Sequence, residues 1–236
     1  RSENIVAEFV RFDPNERNHE RFECLGSEFN RETVPIDLTQ TKDEIWESYE
    51  SRNRRAIKQA RDTKIKIQQA TDKQDIADFH GIYSNAMEAK NASEHYRFTE
   101  RFFRNLLNEN GLASLLMARY VGESIGGFIT VHDEDVAYHY LSASNPDYWD
   151  MRVNNLLYHK VVMYCKDEGC TLFDFQGGRP NVFKFKKGFS PDRRELYLGR
   201  AVHMNEVYDD FVEQAEEAGV NTDSGYFPEY RIEKSN

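Results

Sequence analysis

The chain has 236 residues, 31 of them basic and 41 acidic, for a formal net charge of −10. Hydrophobic residues at 39% and aromatics at 13% supply enough apolar surface for a sizeable core, which excludes a disordered or low-complexity chain. The acidic balance argues against a general nucleic-acid coat protein, although it leaves room for a local basic site, and the length allows one or two domains. The longest apolar stretch, Leu112 to Ala118, is short and interrupted by Ser114, so the sequence carries no transmembrane helix. Cys24, Cys165 and Cys170 are too few for a disulfide framework and read as reduced thiols.

In chain order, Ile5 to Phe12 alternates like a strand, residues 13–32 are polar without a clear period, and Val34 to Leu38 is a short strand. Thr41 and Glu44 form a capping box in front of Ile45, Trp46 and Tyr49, and one helix is expected from there to about Arg61. A second helix follows from about Asp72, with Ile76, Phe79, Tyr83, Ala86 and Met87 on one face; a third starts near Thr99. The period then changes to two. Leu112–Tyr120, Ile125–His132 and Val136–Ala143 read as three hairpin-linked strands, turning at Gly122 and at the Asp133-Glu134-Asp135 cluster. A helix is expected over about Arg152 to Glu168, with Gly169 closing it, then a strand at Thr171–Phe175. A short helix at Asn181–Lys187, a strand at Glu195–Val202 and a helix at about Asn205 to Ala218 complete the series.

Several constellations carry chemical potential. Arg52, Arg54, Arg55, Lys58, Arg61, Lys64 and Lys66 stand against a single acid, Asp62, and helical geometry places Arg54, Lys58 and Arg61 on one face. This is either an anion contact or a solvated helix end whose cations suit the C-terminal dipole. Phe173-Asp174-Phe175-Gln176-Gly177-Gly178 is a strand running into paired glycines, which permit a sharp turn or a close backbone approach to a ligand. In Phe183-Lys184-Phe185-Lys186-Lys187-Gly188-Phe189, a lysine among aromatics could stabilise a developing negative charge, or the lysines could snorkel outward from buried phenylalanines. Alternation puts Tyr138 and Tyr140 on one face of their strand and His139 on the other. The seven histidines show no metal-ligand spacing, so no metal is expected. No Ser-His-Asp arrangement is visible.

From residue 72 the element order, α-α-β-β-β-α-β-α-β-α, is that of the GNAT acyltransferase fold: an α+β domain with a mixed, mostly antiparallel central sheet and flanking helices. Acyl-CoA-using members carry a glycine-rich pyrophosphate turn before the central helix; here Ser144 to Asn155 contains no glycine, which disfavours CoA and leaves no cofactor expected. On Val34–Leu38, Trp46, Arg52–Ala60, Phe79–Tyr83, Ala113–Gly127, Tyr138–Ser144, Gly169–Gly178 and Phe185-Lys186-Lys187-Gly188-Phe189, the chain resembles the Fem-type (FemA/FemB/FemX-like) peptidyltransferases; the tail Tyr226-Phe227-Pro228-Glu229-Tyr230-Arg231 is similar to a close-out in related bacterial proteins. Those enzymes have two GNAT-like halves and move an amino acid from aminoacyl-tRNA onto the peptide of a cell-wall precursor. The resemblance implies that residues 1–61 are the C-terminal remnant of a first half and 62–236 a complete acyltransferase domain. The family's inserted tRNA-binding helical hairpin is absent.

It further implies Lys186 and Phe185 as catalytic residues. Tyr96, Tyr138, Tyr140, Gln176, Gly177, Gly178, Arg54 and Lys58 are the candidates for substrate contact. Aminoacyl-tRNA and the cell-wall (peptidoglycan) precursor are the implied partners, in the cytoplasm or peripherally at the inner membrane face. Of Lys184, Lys186 and Lys187, the resemblance selects Lys186, and Lys186→Met is expected to fold normally. The alternatives are an acyl-CoA-dependent GNAT N-acyltransferase of surface-polysaccharide synthesis and a non-catalytic binding module with the same fold.

Overall fold

A computed structural model describes residues 4–22, 26–108 and 112–231; Cys24 lies outside them. In chain order the elements are β1 (Ala7–Arg11), β2 (Ser27–Thr33), β3 (Pro35–Asp37), α1 (Lys42–Ser48), α2 (Ser51–Arg61), β4 (Ile65–Gln69), α3 (Lys73–Ala89) and α4 (Glu100–Asn108). They continue as β5 (Ala113–Tyr120), β6 (Glu123–Asp133), β7 (Val136–Ser144), α5 (Val153–Asp167), β8 (Leu172–Asp174), α6 (Pro180–Lys186), β9 (Arg194–Val202) and α7 (Asn205–Glu217).

The chain forms two compact units, Val34–Arg193 and the pair of segments Arg1–Thr33 with Arg194–Asn236. The larger unit holds a six-stranded sheet in the order β3-β8-β7-β6-β5-β4. Its neighbours are antiparallel except β7 and β8, which run parallel across the α5 connection. This is the mixed, mostly antiparallel sheet with flanking helices that the element order implies.

Alternation sorts the sheet's side chains to two cores. Leu115, Met117 and Ile129 pack with Ile76, Phe79 and Tyr83 of α3 and Phe103 of α4. Leu116, Ala118 and Phe128 pack with Ile45 of α1, Ile57 and Ala60 of α2, and Leu157 and Val161 of α5.

The helix expected over 41–61 is two helices. The Thr41–Glu44 capping box starts α1 as anticipated, but Tyr49 turns extended (φ −68°, ψ 142°). The guanidinium of Arg54 then donates to the carbonyls of Glu47 and Tyr49, at 2.6 and 2.9 Å, closing the end of α1. Strand β4 was hidden in the cationic run. Ile65 and Ile67 face the core, while Lys66 points away on an edge strand, where lysine discourages further pairing.

The smaller unit contains a three-stranded antiparallel sheet, β1-β9-β2, and α7. Strand β2 falls in the stretch whose polar sequence showed no period; five of its seven residues are exposed, so no apolar face marks it. Tyr208 of α7 packs against Phe227 and Tyr230 of the tail, and its hydroxyl accepts the Glu229 amide at 3.2 Å. Strand β9 and α7, expected within a 62–236 domain, lie in this unit because β9 pairs with β1 and β2. The boundary expected at 61/62 falls inside the larger unit, since Ile57 and Ala60 share a core with α5.

Two glycines give opposite expectations. A Cβ on Gly127 would lie 2.4 Å from Phe79 Cδ2, a close approach that only glycine permits. Gly127→Ala should therefore lower stability in urea by about 1–3 kcal/mol. Gly81 lies inside α3, exposed and with nothing near its Cβ position, so Gly81→Ala should raise stability by about 0.4–1 kcal/mol. Equal effects of the two substitutions would contradict this packing.

Candidate active site

Strands β7 and β8 pair only from Val136↔Leu172 to Tyr138↔Asp174. Beyond that point β7 continues to Ser144, while the other chain turns away at Phe175, whose amide donates to the Val34 carbonyl at 3.0 Å. The left-handed residue of this turn is Gln176 (φ 60°), and its amide donates to Asp174 Oδ1 at 2.6 Å. Gly178 serves close packing: a Cβ there would sit 3.2 Å from Val182 Cγ1.

Lys186, the last residue of α6, reaches into this turn. Its Nζ donates to the carbonyls of Phe175 and Gly177 at 2.6 and 2.7 Å. It is 4% exposed, whereas Lys184 and Lys187 are exposed. Burial drives its pKa down to about 8, and the nearby Asp174 carboxylate partly opposes that shift. The ammonium form still dominates at neutral pH. His139 faces the same region; burial, and secondly the Lys186 charge, hold it well below its usual range, so it is neutral. Its Nε2 lies 3.0 Å from Ser142 Oγ, which is also 3.0 Å from the Tyr158 hydroxyl. Burial pushes that phenol up to about 12.

Phe185, half-buried, stands edge-on to Tyr158 (5.0 Å) and to Phe189 (5.4 Å), so it is a wall of this aromatic box. It also lines an open cleft of about 570 Å³. The cleft's other lining residues include the cations Arg52, Arg55, Arg152 and Lys184 and the amides Asn53, Gln59, Asn155 and Asn181, with no carboxylate. Arg52 is engaged by Glu50 at 2.6 Å and donates to the Lys184 carbonyl at 3.1 Å.

Arg152 and Asn155 mark the N-terminus of α5, which has no side-chain cap. Such a helix start offers free amides and a positive dipole end to an anion. Arg152 itself takes the left-handed conformation (φ 58°) at the entry. Asn53 is buried; its Oδ1 accepts from Asn155 Nδ2 at 3.4 Å, and its own Nδ2 has no partner among the described residues.

The structure thus brings Lys186, Phe185, Gln176, Gly177 and Gly178 together at the end of β8. It adds His139, Asp174, Ser142, Tyr158, Arg55, Arg152 and Asn53, which the sequence reading did not select. The other candidates lie elsewhere. Arg54 is half-buried at the end of α1, Arg61 donates to His159 Nε2 at 2.7 Å and stacks over Trp46, and Lys58 is exposed outside the cleft lining. The cleft face of α2 is Arg52, Arg55 and Gln59, a spacing of three and four legible in the sequence.

Tyr140 stacks with Phe102 of α4 (6.5 Å), on the sheet face opposite His139, and alternation places Tyr138 on that face as well. Tyr96 is exposed, and its carbonyl accepts the Tyr83 hydroxyl at 2.9 Å. Among the described residues no cluster of His, Cys, Asp and Glu could hold a metal ion, and no helix is long and apolar enough to cross a membrane.

The sequence profile of the acetyltransferase (GNAT) domain family matches residues 47–187, and the chain belongs to that family. No curated protein matches it significantly. Among solved structures it is similar to FemX, at 14% identity and a TM-score of 0.70, over 88% of this chain and 75% of FemX. It is also similar to the C-terminal domain (DUF2156) of a putative lysylphosphatidylglycerol synthetase from Agrobacterium fabrum, at 14% identity and a TM-score of 0.62, over 87% of this chain and 71% of the other. L-PGS from Bacillus licheniformis aligns at 14% identity and a TM-score of 0.54, over 80% and 65% respectively. At these identities the likeness is one of fold.

The burial of Lys186 overturns the expectation that Lys186→Met folds normally. Methionine would leave the Phe175 and Gly177 carbonyls without their donor, a loss of roughly 1–3 kcal/mol, whereas Lys184→Met and Lys187→Met should stay within about 0.5 kcal/mol. The pH dependence has a definite sign. Between the folded-state value of about 8 and the usual lysine value of 10.5, the unfolded chain binds more protons, so stability from this group rises with pH across that window. Urea titrations from pH 7.5 to 10.5 should show this rise in the wild type relative to Lys186→Met. Parallel curves would show that burial does not depress Lys186.

Proposed function

We propose that this protein moves an aminoacyl group from aminoacyl-tRNA onto an amine of a cell-wall precursor peptide, forming an amide. The observation that carries the reading is the carboxylate-free cleft, in which four cations and the uncapped start of α5 lead to the wall formed by Phe185, the neighbour of Lys186. This arrangement suits a phosphate-bearing donor whose reactive ester lies toward Lys186.

In the reaction, the neutral amine attacks the ester carbonyl, a new C–N bond forms, and negative charge gathers on the carbonyl oxygen. Lys186 spends two of its three N–H donors on the Phe175 and Gly177 carbonyls, and the third is directed to the oxyanion. The C–O bond to the ribose then breaks, and the ribose hydroxyl receives the proton given up by the amine, directly or through water. His139, held neutral beside Lys186, adds no competing positive charge to the buried box. The phosphates are held by Arg55, Arg152 and the first amides of α5, and Asn53 offers a buried donor beside them.

The proposal is tested by titrating the protein with an aminoacylated RNA acceptor stem and, separately, with acetyl-CoA. RNA should bind, with an affinity that falls steeply as salt rises. Joint reversal of Arg55 and Arg152 to Glu should weaken it at least about tenfold, while Lys58→Glu should matter less. Lys186→Met, assayed below its melting temperature, should lose roughly 10²–10³ in turnover with RNA binding retained. Micromolar acetyl-CoA binding without RNA binding would overturn the reading in favour of an acyl-CoA-dependent N-acyltransferase. RNA binding without any transfer would favour a binding module.

A further inference from the structure

The end of α5 away from the cleft carries a feature that amide formation does not use. The helix closes in a Schellman turn: the Gly169 amide (φ 93°) donates to the Lys166 carbonyl at 3.1 Å, and the Cys170 amide donates to the Cys165 carbonyl at 3.0 Å. In this motif the two residues joined by the longer bond also bring their side chains into contact, normally as an apolar pair. Here both are cysteines. Each is a free, buried thiol. A backbone N–H···O bond of 3.0 Å between them keeps the two Cα atoms within the short range that a disulfide spans.

The environment makes the two sulfurs unequal. Cys170 Sγ lies 3.8 Å from His132 Nδ1, and the other ring nitrogen, Nε2, lies 3.0 Å from Thr130 Oγ1, which fixes the ring. Cys170 is 8% exposed, next to the exposed Asp133–Asp135 turn, while Cys165 is fully buried at 0%.

We propose that Cys165 and Cys170 are a redox-active dithiol that takes hydroperoxides as oxidant, with Cys170 as the attacking thiolate and Cys165 as the resolving thiol. A hydrogen bond from Cys165 is the main influence favouring the Cys170 thiolate, holding its pKa below the usual thiol range. His132 adds to the shift, while burial and the Asp135 carboxylate oppose it. Cys165 is pushed up by the same hydrogen bond, by burial and by Glu168, so it keeps its proton until the second step.

In the first step the Cys170 thiolate attacks one peroxide oxygen. An S–O bond forms, the O–O bond breaks, and the departing hydroxide takes a proton delivered through His132 and leaves as water. In the second step the Cys165 sulfur attacks the sulfenic sulfur. The S–S bond forms, the S–O bond breaks, and the hydroxide leaves as a second water with the Cys165 proton. Two thiols are oxidised and one peroxide is reduced to two waters. Because the pair sits on the far end of α5, this chemistry is independent of the acyl-transfer reading.

The test uses the full chain with Cys24→Ser, which leaves this pair intact. After hydrogen peroxide treatment and alkylation in denaturant, the expected product has lost two hydrogens, carries no alkyl group, and yields a dithiothreitol-sensitive peptide linking Cys165 to Cys170. In the additional variant Cys165→Ser, the oxidised protein should instead react with dimedone at Cys170. His132→Gln should slow iodoacetamide alkylation of Cys170 about tenfold at neutral pH. Two thiols that remain fully alkylable after peroxide would overturn the proposal, as would a disulfide formed between chains rather than within one. The peroxide arm needs no substitution at the pair, so a variant that fails to fold leaves it decisive.

Discussion

One buried ammonium, shared between the carbonyls of Phe175 and Gly177, is the contact on which the proposed site depends. Strand β8 is only three residues long, and the chain leaves it at a point where β7 still has six residues to run. The carbonyls past its end have no β7 ladder to join. Without a donor they would be buried polar groups at a cost of one or more kcal/mol each. Lys186 supplies that donor from the last turn of α6, and in doing so fixes Phe185 against Tyr158 and Phe189. The lowered proton affinity of Lys186 follows from the same burial. A structural tie and a proposed electrophilic group are therefore one atom, which is why its removal should be felt in both stability and turnover.

The electrostatics of the larger unit resolve an apparent conflict in the composition. A chain with a net charge of −10 nonetheless builds a cleft without a carboxylate, because Arg52 and Arg55 on α2 meet Arg152 at the entry of α5 and Lys184 on α6. Sequence separation hides this meeting, and only the packing of α2 on α5 through Ile57, Ala60 and Leu157 produces it. The fold likeness to FemX and to the lysylphosphatidylglycerol synthetase domain is compatible with several acyl-transfer chemistries. The cleft's charge, rather than the fold, carries the choice among them.

Where a long periodic pattern existed, the sequence was legible. The apolar face of α3, the three hairpin strands, the Thr41–Glu44 box and the Gly169 stop of α5 all appear where periodicity and capping put them. Elements masked by polar or charged sequence were not legible, whereas the short β3, β8 and α6 were. Strand β2 lacks an apolar face, β4 reads as part of a cationic run, and the break between α1 and α2 has no glycine or proline to announce it. Lys186 and Phe185 were selected through family resemblance, whereas His139, Tyr158 and Asp174 were not, because their proximity depends on the splay of β7 from β8. Charge and a shared helix face single out Arg54 and Lys58 in the sequence, although Arg54 is needed to close α1. The left-handed entry of α5 is an arginine, Arg152, in a stretch without glycine, so the sequence does not announce it.

The claim that the start of α5 and the α2 cations receive the donor is tested most directly by amide chemical shifts. On a ¹⁵N-labelled protein titrated with aminoacylated RNA acceptor stem, the backbone amides of Val153, Asn154 and Asn155, with the Asn53 side-chain amide, should shift first and saturate together. Shifts confined to the opposite sheet face around Tyr96 and Tyr140, with the α5 amides unmoved, would contradict the account.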